Sequence, residues 1–114
     1  MASYGFMVPI LPGMTERNRA FAAELLGARH AEYAASRARL GVTQERVWVQ
    51  ETPQGSFSVV YLEADDLGRA FGGLATSSDS FDVWWREQIL AIHGIDMSRP
   101  LPGPMNEQIL DLSG

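Results

Sequence analysis

Residues 46–64 read RVWVQETPQGSFSVVYLEA. Two runs rich in Val, Trp, Phe and Tyr flank Pro53-Gln54-Gly55, and β-formers on both sides of turn chemistry make this segment a β-hairpin. A turn from Thr52 to Gly55 sets the register, with Glu51 opposite Ser56, Trp48 opposite Val59 and Arg46 opposite Tyr61. Side chains alternate along a strand, so the hairpin has two unlike faces. One carries Trp48, Gln50, Phe57, Val59, Tyr61 and Glu63, a mixture of large aromatics and polar groups. The other carries Val47, Val49, Ser58, Val60, Leu62 and Ala64, and is flatter and more aliphatic.

Upstream, Tyr4 to Leu11 is apolar and stops at Pro12-Gly13, the pattern of a short strand and a turn. Thr15 and Glu16 then open an Ala- and Arg-rich helix that runs to Leu40, with Gly41 as its C-cap. Met14, Phe21, Ala22 and Leu25 share one stripe of that helix, but beyond Gly27 the same stripe meets Arg29, Glu32, Ser36 and Arg39, so an interruption near Gly27 is expected. Downstream, Asp65 or Asp66 caps a short helix and Asp79 or Ser80 caps a longer one ending at Gly94. Pro100, Pro102, Gly103 and Pro104 impose an irregular linker, and Glu107 to Leu112 is predicted to form a last strand. The order β, α, β, β, α, β is a ferredoxin-like α+β arrangement in one domain over residues 1–114: a four-stranded antiparallel sheet with helices on one face.

Such helices cover one sheet face, and here both faces are apolar. A second copy is therefore expected to stack on the Val47, Val49, Val60 and Leu62 face about a two-fold axis, leaving the aromatic face beneath the helices.

Composition narrows the function. The chain has 114 residues, 46% of them hydrophobic and 20% charged, with a net charge of -5 and no cysteine. A nucleic-acid partner is disfavoured by charge, and thiolate metal sites, disulfides and cysteine nucleophiles are ruled out. The longest apolar stretches, Phe6 to Pro12 and Val59 to Leu62, fall far short of the roughly 20 residues that span a bilayer, so no membrane partner and a cytoplasmic location are expected. His30 and His93 are the only histidines and no ligand spacing accompanies them, so neither a metal nor a cofactor is implied.

The Gly41-Val42-Thr43 turn, the strand start Glu45-Arg46-Val47-Trp48, Val59-Val60-Tyr61 and Ile92-His93-Gly94-Ile95-Asp96 resemble a bacterial family of unknown function. The chain as a whole resembles the dimeric α+β-barrel superfamily, which includes antibiotic-biosynthesis monooxygenases, haem-degrading enzymes and isomerases. The resemblance implies a dimer, and a ligand held between the helices and the sheet of each protomer.

The candidate site residues follow from the faces and stripes. Trp48, Tyr61, Trp84 and Trp85 are taken as walls for a small, partly aromatic ligand. Asn18, Arg29, Tyr33 and Gln88 are taken as groups that orient its polar substituents or an oxyanion. His93 is the candidate catalytic proton carrier, since imidazole titrates near neutrality, and its competing role is a cap on the helix end. Two functions fit: a cofactor-independent monooxygenase, isomerase or cyclase, and a homodimer that binds a small ligand or a partner protein without catalysis.

Overall fold

The hairpin forms with the register its turn dictates. In the computed structural model, which describes residues 2–100 and 105–112, β2 (Val42–Thr52) and β3 (Gly55–Ala64) pair antiparallel, with Glu51 opposite Ser56, Trp48 opposite Val59 and Arg46 opposite Tyr61. The Thr52 hydroxyl donates to the Gly55 carbonyl at 2.7 Å and accepts the Gln54 amide at 3.1 Å. Gly55 takes a φ of 124°, a backbone that side-chain-bearing residues rarely adopt. β1 (Ala2–Pro9) pairs antiparallel with the other edge of β3, giving a three-stranded sheet in the order β1-β3-β2.

The first helical segment breaks where its apolar stripe changes sides. α1 (Thr15–Leu26) ends at Gly27, and α2 (His30–Leu40) begins after the amides of Gly27 and Arg29 have both turned back to the Glu24 carbonyl. The break rephases the chain: α1 buries Asn18, Phe21 and Leu25, whereas α2 buries Ser36, Arg37 and Leu40. Met14, not Thr15, occupies the N-cap position, and no side chain caps that end. Gly41 closes α2 at a φ of 74°. Asp66 caps α3 (Leu67–Thr76) through the Arg69 amide, and Asp79 caps α4 (Ser80–His93) through the Phe81 amide.

α2 and α4 are joined by a buried carboxylate. Asp82, 1% exposed, accepts hydrogen bonds from the Ser36 hydroxyl, from Ser77 Oγ at 2.6 Å and from Arg39 Nη2 at 3.0 Å. Burial pushes its carboxyl upward, but Ser36, Ser77 and the Arg39 guanidinium together hold it below the usual carboxylate range. The C-terminal end of α4 is tied to the sheet side by the Leu11 amide, which donates to the Ile92 carbonyl at 2.8 Å in the turn after β1. Phe21, Leu25, Leu40, Phe81, Trp85 and Ile92 fill the core between the layers.

Two expectations are corrected. Residues 107–112 form no strand and stay exposed, so a fourth strand is absent among the described residues. The physical reason lies in the pattern: Glu107, Ile109 and Asp111 would share one face and Gln108, Leu110 and Leu112 the other, so neither face is apolar throughout. Of the expected linker, Leu101 to Pro104 lie outside the described residues. The second correction concerns the faces of the sheet. The aliphatic face lies under the helices, with Leu62, Ala64 and Ser58 buried, while Trp48 is 54% and Met7 60% exposed on the opposite side. Helices seat closely on small, flat side chains, and covering Gln50, Glu63 and Arg46 instead would strip water from polar groups without partners. Of the seam expected at Val47, Val49, Val60 and Leu62, Leu62 is buried and Val49 and Val60 partly buried on the helix side of the sheet, while Val47 stays half exposed at its edge. Among the described residues no helix is long and apolar enough to cross a membrane, and no group of three metal-ligating side chains occurs.

Candidate functional site

Between the helices and the inner sheet face lies a cavity of ≈ 460 Å³. Its walls are apolar: Phe6, Val47, Val49 and Val60 from the sheet, and Phe21, Leu25, Trp85 and Ile89 from the helices. Two groups of polar side chains interrupt them.

The first group sits at Ser58. This residue is on the inner face of β3, opposite Val8 of β1 and Val49 of β2. Asn18, on the buried stripe of α1, donates from Nδ2 to Ser58 Oγ at 2.9 Å, and Ser58 Oγ lies 2.9 Å from His93 Nε2. Ser58 Oγ, which already accepts from Asn18, keeps one hydrogen and a second lone pair, so its bond to Nε2 forms with either His93 tautomer: the serine donates when the ring proton is on Nδ1 and accepts when it is on Nε2. Nδ1 is, among the described residues, the one buried side-chain nitrogen or oxygen without a hydrogen-bond partner. Burial lowers the His93 pKa below its ordinary value, and the Ile89 carbonyl one turn earlier pulls weakly the other way without completing a bond to Nδ1. His93 is therefore neutral at pH 7. Its ring bonds to Ser58 on the sheet, and Gly94 in the left-handed conformation closes α4. An NMR titration should give a His93 midpoint below the free-imidazole value of about 6.5. The unfolded chain then binds the extra proton, so stability is full above about pH 6.5 and falls as the pH drops through that value toward the native midpoint. A midpoint above that of free imidazole would contradict the geometry.

The second group joins α2 to β2. Tyr33 Oη and Arg37 Nε both donate to Glu45 Oε1, at 2.6 and 2.7 Å. Burial first, then the Glu45 carboxylate, pushes the Tyr33 phenol upward, so it remains a protonated donor. The Arg37 guanidinium lies 4.9 Å from the Trp85 ring centroid and 5.1 Å from that of Tyr33.

Of the residues expected at the site, Asn18, Tyr33, Trp85 and His93 line this cavity. Trp84 lies outside it, packed between Phe21 and Phe81 with the Arg29 guanidinium 3.9 Å from its ring. Arg29 pairs with Glu24 and Glu32 on the surface, and Gln88 accepts from Arg17 at 3.3 Å. Trp48 and Tyr61 belong to the outer sheet face, where with Met7, Val59 and Asn106 they border a shallow groove. Sequence reasoning missed Ser58, Arg37 and Glu45. Ser58 carried a signal, as the one hydroxyl on the aliphatic face. Arg37 and Glu45 carried none, because their approach depends on the rephasing of α2.

Comparison with family models, with curated proteins and with solved structures finds no match for this chain.

Proposed function

We propose that the cavity binds a small, partly aromatic molecule and that His93 moves a proton on it. The carrying observation is a buried imidazole bonded through Nε2 to Ser58 at one end of a chamber whose walls are mainly apolar. With the ring proton on Nδ1, an acidic C–H on the ligand would pass its proton to Ser58 Oγ as the serine's own proton passes to His93 Nε2, leaving the negative charge on the ligand and the positive charge on the imidazolium, while the Asn18 amide holds Ser58 Oγ in place. That step serves isomerisation and cyclisation, and it opens cofactor-independent oxygenation, in which dioxygen is the co-substrate. The resemblance to dimeric α+β barrels belongs to this reading, as does a cytoplasmic setting.

The test combines binding and exchange. Aromatic acids, quinones and haem are screened by thermal shift, where a ligand at a hundred times its Kd adds about 2.7 kcal/mol. Each hit is then incubated in D2O. Deuterium entering the ligand with the wild type but not with His93→Ala supports the proposal, and hits that never exchange refute the catalytic half. Binding without catalysis is the second reading, favoured by Ser58 being 1% exposed and by the absence of a partner that orients Nδ1.

We also propose that two copies pair through the outer sheet face. Exposed Trp48 and Met7 support this, together with Ile109, Leu110 and Leu112 on a segment whose Asn106 side chain donates to the Gly5 carbonyl of β1. Sedimentation should show a dimer that Trp48→Glu dissociates. A wild-type monomer at micromolar concentration would refute the pairing.

A further inference from the structure

We propose that the ligand of this cavity carries a hydroxyl group at the end remote from His93 and donates it to Glu45, an inference that rests on the cavity being a ligand site. Glu45 stands on the inner face of β2 and lines the chamber. Both hydrogen bonds it accepts from Tyr33 and Arg37 fall on Oε1, and Oε2 takes neither. A carboxylate in apolar surroundings gains from each donor it can reach, so Oε2 marks a place for a donor brought by the ligand. The charge of that donor follows from Arg37. With the guanidinium 2.7 Å away, this end of the cavity has no net charge, and a neutral hydroxyl enters at far lower desolvation cost than an ammonium.

The register supplies the length. Glu45 faces Leu62, Val49 faces Ser58, and the two rows are four residues apart along β2, a separation on the order of 13 Å at the strand rise. A single ring does not span from the Ser58 and His93 end to Glu45. Two fused or linked rings with a hydroxyl at one end do, with Val47, Val60 and Ile89 against their faces.

The experiment uses a matched pair of probes, 2-naphthol and its methyl ether, titrated by calorimetry. The wild type should bind the naphthol about tenfold or more tightly, a factor of ten being about 1.4 kcal/mol. Glu45→Leu should bind both alike, and its retained binding of the ether reports a folded cavity. If that variant does not fold, Glu45→Gln replaces it, and the preference should narrow because the acceptor is neutral. Equal binding by the wild type overturns the hydroxyl assignment and leaves the cavity reading intact. A preference that persists in full without the carboxylate also overturns it, placing the hydroxyl elsewhere. Binding of neither probe overturns the cavity reading for two-ring aromatics and this inference with it.

Discussion

Replacing Asp82 by alanine is expected to cost about 2 to 3 kcal/mol of stability, the range for leaving buried hydrogen-bonding groups without their charged partner. The loss is large because the carboxylate is a shared acceptor. Ser36 on α2, Arg39 one turn on and Ser77 at the junction of α3 and α4 all donate to it. The fully buried Ser36 hydroxyl would be left without that acceptor, whereas Arg39 is half exposed and keeps Asp79. Urea denaturation gives the measurement, with the midpoint lowered and the slope unchanged. A cost under about 1 kcal/mol would show that water replaces the carboxylate and that the helices hold together by apolar contact alone. The same group sets the acid limit. Its native carboxyl titrates below the usual range, so its stabilisation is complete at neutral pH and is lost as the pH falls through about 4 and below. That loss should be absent from the alanine variant.

The second large effect is on binding. Val47 lines the cavity yet is 51% exposed, which places it at the open side of the chamber. Val47→Trp therefore has room to fill the entrance without displacing the core. Ligand affinity should fall at least about a hundredfold, equivalent to about 2.7 kcal/mol. Stability should change by no more than about 0.5 kcal/mol, as at other exposed positions. A variant that stays folded and binds normally would mean that the ligand lies elsewhere, with the outer groove beside Trp48 the next place to examine.

The sequence was legible where the determining interactions are local. Pro53-Gln54-Gly55 and the alternation around it gave the hairpin register, and the shift of apolar positions past Gly27 gave the helix break. The choice of sheet face was not legible, because both faces are apolar. It turns on how the helices seat against the sheet, α3 on β3, α2 on β2, and α1 and α4 at Ser58, and no single strand carries that information. Glu107 to Leu112 misled for a related reason: a strand needs a paired edge and a covered face as well as a favourable composition. At the site, His93, Trp85 and Asn18 could be placed by helical period alone. The polar partners that define their surroundings, Ser58 and Glu45, were set by tertiary contact.

The bond from Leu11 to Ile92 has a kinetic consequence. Leu11 lies in an exposed turn, where backbone amides ordinarily exchange with solvent quickly. Its N–H is instead held by the carbonyl of a fully buried residue in the last turn of α4. Deuterium enters at Leu11 only when this bond opens, either by movement of the turn or by lifting of the last turn of α4, and the second excursion also parts His93 from Ser58. One slowly exchanging amide on the surface thus sets an upper limit on how often the end of α4 lifts from the sheet, with no ligand required.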